Sequence, residues 1–140
     1  MSGGANNGVW EAGVLYGLTH YGDPQDFTWD VSSGVSAGGI NAGLVAVWAK
    51  GEEVEMTEWM SDNYASITSR DIWKLNPGTA YDLFFKEKSL LDDSSALETI
   101  TKFINERGSI QRRFVASAMD VNLGEYVPQT QENTTFEQLA

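Results

Sequence analysis

The residue types that could carry a reaction are concentrated in one short string. Gly34-Val35-Ser36-Ala37-Gly38 reads Gly-x-Ser-x-Gly, the spacing that presents a serine hydroxyl on a sharp strand-to-helix turn. Crowding explains the two glycines: a turn that tight leaves no room for side chains two residues either side of the serine. A hydroxyl held there sits at a helix N-terminus, where the dipole and free amides favour the negative charge that develops when an ester carbonyl is attacked. The chemistry this suggests is acyl transfer, with Ser36 as nucleophile and Gly34, Val35 and Gly38 forming its elbow. The competing reading is packing alone, in which Ser36 merely caps the helix and Gly39, Ala42 and Gly43 let that helix lie close to a sheet.

A second segment bears on the choice. Gly3-Gly4-Ala5-Asn6-Asn7-Gly8 is a glycine loop ahead of a helical pattern. As a phosphate cradle it lacks the Gly-Lys-Ser/Thr ending of a P-loop, and a dinucleotide fingerprint needs its glycines in another register. The backbone amides of such a loop can instead donate to an oxyanion, the other component an acyl-accepting serine requires. A Ser-Asp-His hydrolase built on this elbow places its histidine after the serine. The single histidine, His20, precedes it and reads as a residue closing a helix against its dipole.

These segments need elements to hold them. Val9 to Leu18 predicts a helix with Trp10, Val14, Leu15 and Leu18 on one face, followed by a Gly22-Asp23-Pro24 turn and a strand over Phe27 to Val31. After the elbow, Ile40 to Trp48 has helical length. Glu52, Glu53 and Glu55 then open a further helix with Met56, Trp59, Met60 and Ile67 at helical spacing. Asn76-Pro77-Gly78 breaks the pattern, and Tyr81, Leu83, Phe84 and Phe85 cluster beyond it. Ser94 or Ser95 caps a helix that runs to Glu106 and ends at Gly108. Phe114 to Met119 is a buried-strand candidate that Asn122-Leu123-Gly124 turns towards Tyr126-Val127, and Thr134 with Glu137 makes a capping box. Strands alternating with helices predict one α/β layer architecture with a mainly parallel sheet.

Composition narrows the partners. The 140 residues are 41% hydrophobic, as in an ordinary globular domain. Nine basic residues against twenty acidic ones give a net charge of −11, which disfavours nucleic acid and strong attraction to anionic lipid, so any transient membrane-surface contact has to rest on apolar side chains. With no cysteine and one histidine, neither a thiolate nor a histidine metal site is expected, and no cofactor is implied. There is no secretory leader pattern or apolar run of spanning length, and the expected location is cytoplasmic or peripheral to a membrane.

Taken together, Ser2-Gly3-Gly4-Ala5-Asn6-Asn7-Gly8, Glu11-Ala12-Gly13-Val14-Leu15 and Ser33-Gly34-Val35-Ser36-Ala37-Gly38-Gly39-Ile40-Asn41-Ala42 resemble the patatin-like phospholipase family. Asp120-Val121-Asn122-Leu123-Gly124-Glu125 resembles a later strand-and-turn segment of that family. The resemblance implies a three-layer α/β/α fold and a serine lipid acyl hydrolase with a Ser-Asp dyad and no catalytic histidine. Ser36 is then the nucleophile, with the amides of Gly3, Gly4 and Ala5, joined by Ala37, as the oxyanion hole and a lipid ester as substrate. Two departures stand out: Ala5 replaces a third glycine, and Asn7 replaces a basic residue. The family's aspartate sits in an Asp-Gly-Gly or Asp-Gly-Ala string, and neither occurs here. Residues 1–140 are therefore expected to form a partial patatin-like domain, incomplete at both ends, with the dyad aspartate beyond it. The rival expectation is a catalytically incomplete relative that keeps the fold to bind lipid or protein.

Overall fold

Small residues decide how the first helix is seated. Helix α1 (Gly8–Tyr21) buries Gly8, Ala12 and Thr19, so its contact face is rotated from the expected one and Trp10 stands 72% exposed. The reason is close approach. A Cβ on Gly8 would lie 3.1 Å from the Ala37 Cβ, and Thr19 shares a buried hydroxyl contact of 2.8 Å with Thr57 on helix α3 (Glu53–Ser66). Bulky Trp10 and Val14 do not fit such an interface and face outward. The computed structural model describes residues 1–4, 7–68, 71, 74–75, 91–92, 94–120 and 122–133.

The first strand lies later than its aromatic content suggests. Asp23 accepts a hydrogen bond from the Gln25 amide and Pro24 takes the first position of a single 3₁₀ turn, Pro24–Phe27, which consumes the start of the predicted strand. Strand β1 is Val31–Val35 and leads through Ser36 into helix α2 (Ala37–Ala46). Beyond α3, β2 (Lys74–Leu75) and β3 (Leu91–Asp92) form a short antiparallel pair. Helix α4 (Ser94–Arg107) follows, then β4 (Arg113–Asp120) and β5 (Glu125–Thr130). The Tyr81–Phe85 cluster and the Thr134 capping box lie outside the described residues.

The main sheet has the order β1-β4-β5. β1 and β4 run parallel with Gly34 opposite Ala116, and β4 and β5 form an antiparallel hairpin. The sheet is thus mixed, not mainly parallel. The hairpin turns at Gly124, whose φ of 68° lies in the left-handed region open to glycine. Helix α2 lies on the Ser32 and Gly34 side of β1, and the Ser32 hydroxyl donates to the Ala42 carbonyl at 2.8 Å. On the other side of the alternation Val31 and Val35 are exposed, and so is Met119 at the end of β4, against the expectation of a buried strand.

The core joins Leu44, Val45 and Val47 to Met56, Met60, Phe103 and Ile104. It continues into an edge-to-face chain of Trp48, Trp59 and Phe103, with the Arg107 guanidinium 3.5 Å above the Trp48 ring. A buried ion pair closes the end of the sheet where β1 and β4 begin. Arg112 donates to Glu53 at 2.9 Å and to the carbonyls of Trp48, Ala49 and Trp29 at 2.7, 2.6 and 2.9 Å. Glu53 in turn accepts from the amides of Trp29 and Gly51. A buried charge pair is tolerable when its hydrogen-bonding positions are filled in this way.

Candidate active site

Parallel pairing of β1 with β4 brings their C-terminal ends to one edge of the sheet, the end where open α/β sheets place their sites. Ser36 stands at that edge between the last residue of β1 and the first of α2, exposed to solvent. It is the one described residue other than glycine with positive φ, at φ 55° and ψ −128°. An L side chain avoids this conformation at a cost of about 1–3 kcal/mol, so the surrounding structure must enforce it.

The flanking glycines show how. A Cβ on Gly34 would fall 1.9 Å from the Gly38 carbonyl oxygen, far inside van der Waals contact. One on Gly38 would fall 2.6 Å from the backbone of Met1 and Ser2. The two glycines that frame the serine are therefore required by space. The turn is then locked by the Ser36 carbonyl, which accepts from Gly39 at 2.8 Å and Ile40 at 3.2 Å.

The glycine loop crosses this turn. A Cβ on Gly3 would lie 3.2 Å from the Ser36 Cβ and 3.8 Å from its Oγ, so the loop backbone passes within the reach of one side-chain carbon of the serine. Gly4 begins a turn in which its carbonyl accepts from the Asn7 amide at 2.9 Å. The Asn7 side chain packs over Gly4, in the position where the family resemblance expects a base. Among the described residues the amides of Gly3, Gly4, Ala37 and Gly38 have no hydrogen-bond partner. Ala5 lies outside the described residues. A hollow of about 290 Å³ lined by Ser2, Gly3, Asn7, Trp10 and Glu11 opens beside the loop, near the lower end of ligand-site volumes.

The titratable groups nearby are otherwise engaged. Asp120 ends β4 at the same edge, but its Oδ1 accepts from the amides of Asn122 and Leu123 at 2.9 and 3.1 Å, which fixes it in the hairpin turn. His20 stacks on Tyr16 and meets Glu58 at 3.2 Å at the far end of α1, in keeping with a role in closing that helix. No described side chain hydrogen-bonds the Ser36 hydroxyl.

Sequence reasoning passed over Asn41 and Tyr64. Asn41 is fully buried on α2 and donates to the Gly8 carbonyl at 2.9 Å and to Glu11 at 3.1 Å. Its Oδ1 accepts from the Tyr64 hydroxyl. Burial, helped by the Glu11 charge, pushes that hydroxyl up to about 12. A polar Asn inside the apolar run from Ile40 to Trp48 was the signal available in the sequence.

The strand, the serine on a glycine-framed turn and the helix that follows make a strand–turn–helix unit of the kind in which a Gly-x-Ser-x-Gly string presents its serine. The family profile described as Patatin-like phospholipase matches residues 1–138. The chain belongs to the patatin-like phospholipase family, a family of lipid acyl hydrolases. No curated protein and no solved structure gives a significant match. No described helix is long and apolar enough to cross a membrane.

Proposed function

We propose that the protein is a serine lipid acyl hydrolase in which Ser36 attacks the carbonyl of an ester-linked acyl chain. The observation that carries this reading is the positive φ of Ser36, a strained conformation that packing or helix capping alone gives no reason to keep. As the Ser36 Oγ adds to the carbonyl carbon, the oxygen becomes an oxyanion. The unpartnered amides of Gly3, Gly4 and Ala37, with that of Ala5, are its donors in this reading. Collapse expels the alcohol and leaves an acyl-serine, which water then hydrolyses to free the fatty acid and regenerate Ser36. The proton acceptor for both steps is assigned to an aspartate outside residues 1–140, because no Asp-Gly-Gly or Asp-Gly-Ala occurs within them and Asp120 is held in a turn. Residues 1–140 act in this reading as part of one patatin-like unit, reaching lipid through transient contact with its surface.

One observation favours the rival, a lipid- or protein-binding relative without catalysis: no described carboxylate or imidazole reaches Ser36. A fluorophosphonate probe applied to the full-length protein separates the two. Labelling and hydrolysis of a short-chain p-nitrophenyl ester, both abolished by Ser36→Ala, are expected. Hydrolysis that survives the substitution excludes Ser36 as nucleophile, and a wild-type protein inert to both substrate and probe favours the binding domain.

A further inference from the structure

Gly3 and Gly4 carry no side chain with which to hold their backbone, and glycine backbone is the least restrained of all. Oxyanion donors misplaced by about 1 Å can cost on the order of a hundredfold in rate, so something outside the loop must position it. Two side chains lie where that restraint is needed. One Glu11 carboxylate oxygen accepts from the Ser2 amide at 2.6 Å and from its hydroxyl at 3.4 Å, while the other accepts from Asn41 at 3.1 Å. Asn41 also holds the Gly8 carbonyl at 2.9 Å. A carbonyl only accepts, so the Asn41 nitrogen must face Gly8, which leaves Oδ1 to the Tyr64 hydroxyl.

The consequence is geometric. Ser2 precedes the loop and Gly8 closes it, and both are referenced to one buried side chain on α2, the helix that Ser36 opens. Because the Gly3 backbone passes so near Ser36 that an added Cβ would lie 3.2 Å from the Ser36 Cβ, a shift at Ser2 moves the donors relative to the nucleophile. We infer that Glu11 and Asn41 are positioning residues that set the Gly3 and Gly4 amides at the distance from Ser36 that oxyanion binding requires. This inference rests on the reading of Ser36 as nucleophile. Neither side chain touches the reacting atoms. Their effect belongs to the transition state, where the donors act, and so to kcat and not KM.

The test compares steady-state hydrolysis of p-nitrophenyl butyrate by full-length wild type, Glu11→Ala, Asn41→Ala and the double variant, each corrected for its folded fraction from thermal melting. Glu11→Ala is expected to lower kcat about a hundredfold with KM within threefold. The double variant should be no worse than its weaker single parent by more than a few-fold, because the two side chains act as one strut. Glu11→Gln keeps the length and one acceptor and should recover part of the loss. If Glu11→Ala fails to fold, Glu11→Gln alone decides, since a lowered kcat at constant KM supports the strut. A folded Glu11→Ala with wild-type kcat, a Glu11→Gln with wild-type kcat where Glu11→Ala does not fold, or a loss that lies in KM overturns the inference while leaving Ser36 in place. Activity that survives Ser36→Ala instead overturns the nucleophile reading and takes the strut with it.

Discussion

At the start of β1 and β4, Arg112 and Glu53 are buried with four distances of 2.6 to 2.9 Å tying the guanidinium to one carboxylate and three carbonyls. At the other end of β1, Ser36 is exposed, its φ is positive and no described side chain bonds its hydroxyl. One pole pairs the charges of Arg112 and Glu53, while the other leaves amides open and holds a serine where an L residue resists. The difference teaches that the chain places its buried ion pair away from the edge where the reaction is proposed to occur. That edge is held by shape, through glycines with no room for a Cβ, and by the Glu11 and Asn41 strut.

Substitutions at the two poles should therefore have opposite signatures. The largest effect is expected for Ser36→Ala, which should lower ester turnover by about 10⁴-fold or more, because nucleophile and base act as a unit. Its melting temperature should stay within a few degrees of wild type. A large drop in melting temperature would break the comparison, since Ser36 would then be a structural residue. Next comes Arg112→Ala, expected to destabilise by about 3–5 kcal/mol because it leaves Glu53 buried without its partner. Urea melts read this effect. The surviving folded fraction should keep the wild-type KM and kcat, and a selective loss of kcat would show that the two poles are coupled.

How much of this was legible in the sequence follows the range of each interaction. The elbow was readable because its glycines and serine lie within five residues and their spacing states the steric problem directly. Helices α3 and α4 were readable from periodicity, and the β4-β5 turn from Asn122-Leu123-Gly124. That same turn implied an antiparallel pair, which the α/β alternation led the sheet prediction to overlook. The Arg112 clasp was not readable: it joins residues 59 positions apart, and a lone Arg carries no local pattern. The exposed Trp10 was misplaced because periodicity marks apolar residues, whereas this helix packs through Gly8, Ala12 and Thr19. Asn41 stood in the family-like string without a role, since its partners come from two other helices, Gly8 and Glu11 on α1 and Tyr64 on α3.

Tyr64 offers an intermediate effect with a pH signature. Its hydroxyl is pushed up to about 12 by burial and by Glu11, so the folded state favours the neutral phenol more than the unfolded chain does, where tyrosine ionises near 10. The associated stability is fully present below pH 10. It is lost as pH rises towards 12, by roughly 3 kcal/mol for a raised acid of this size. Urea melts of wild type and Tyr64→Phe at pH 8 and pH 11.5 provide the check. The wild type should lose more stability than the variant over this interval, and parallel losses would show that the Tyr64 hydroxyl ionises alike in the folded and unfolded chain.

The smallest expected effect sharpens the comparison most, because it addresses strain alone. At φ 55° and ψ −128°, Ser36 occupies backbone space that glycine enters freely and other residues enter at a cost. Ser36→Ala keeps the Cβ and hence the strain, whereas Ser36→Gly removes both the hydroxyl and the Cβ. Neither variant has a nucleophile, so both should be inactive and activity cannot separate them. Stability can. Ser36→Gly should exceed Ser36→Ala by about 1 kcal/mol, the strain relief of roughly 1–3 kcal/mol being partly offset by glycine's greater freedom in the unfolded chain. In a domain of this size that is a rise of several degrees in melting temperature. The same pair of substitutions at Ser32, a β1 residue at ordinary negative φ, should give the opposite order, with glycine the less stable. If glycine were no better than alanine at position 36, the elbow would hold no strain, and the positive φ of Ser36 would lose its force as an argument for a nucleophile.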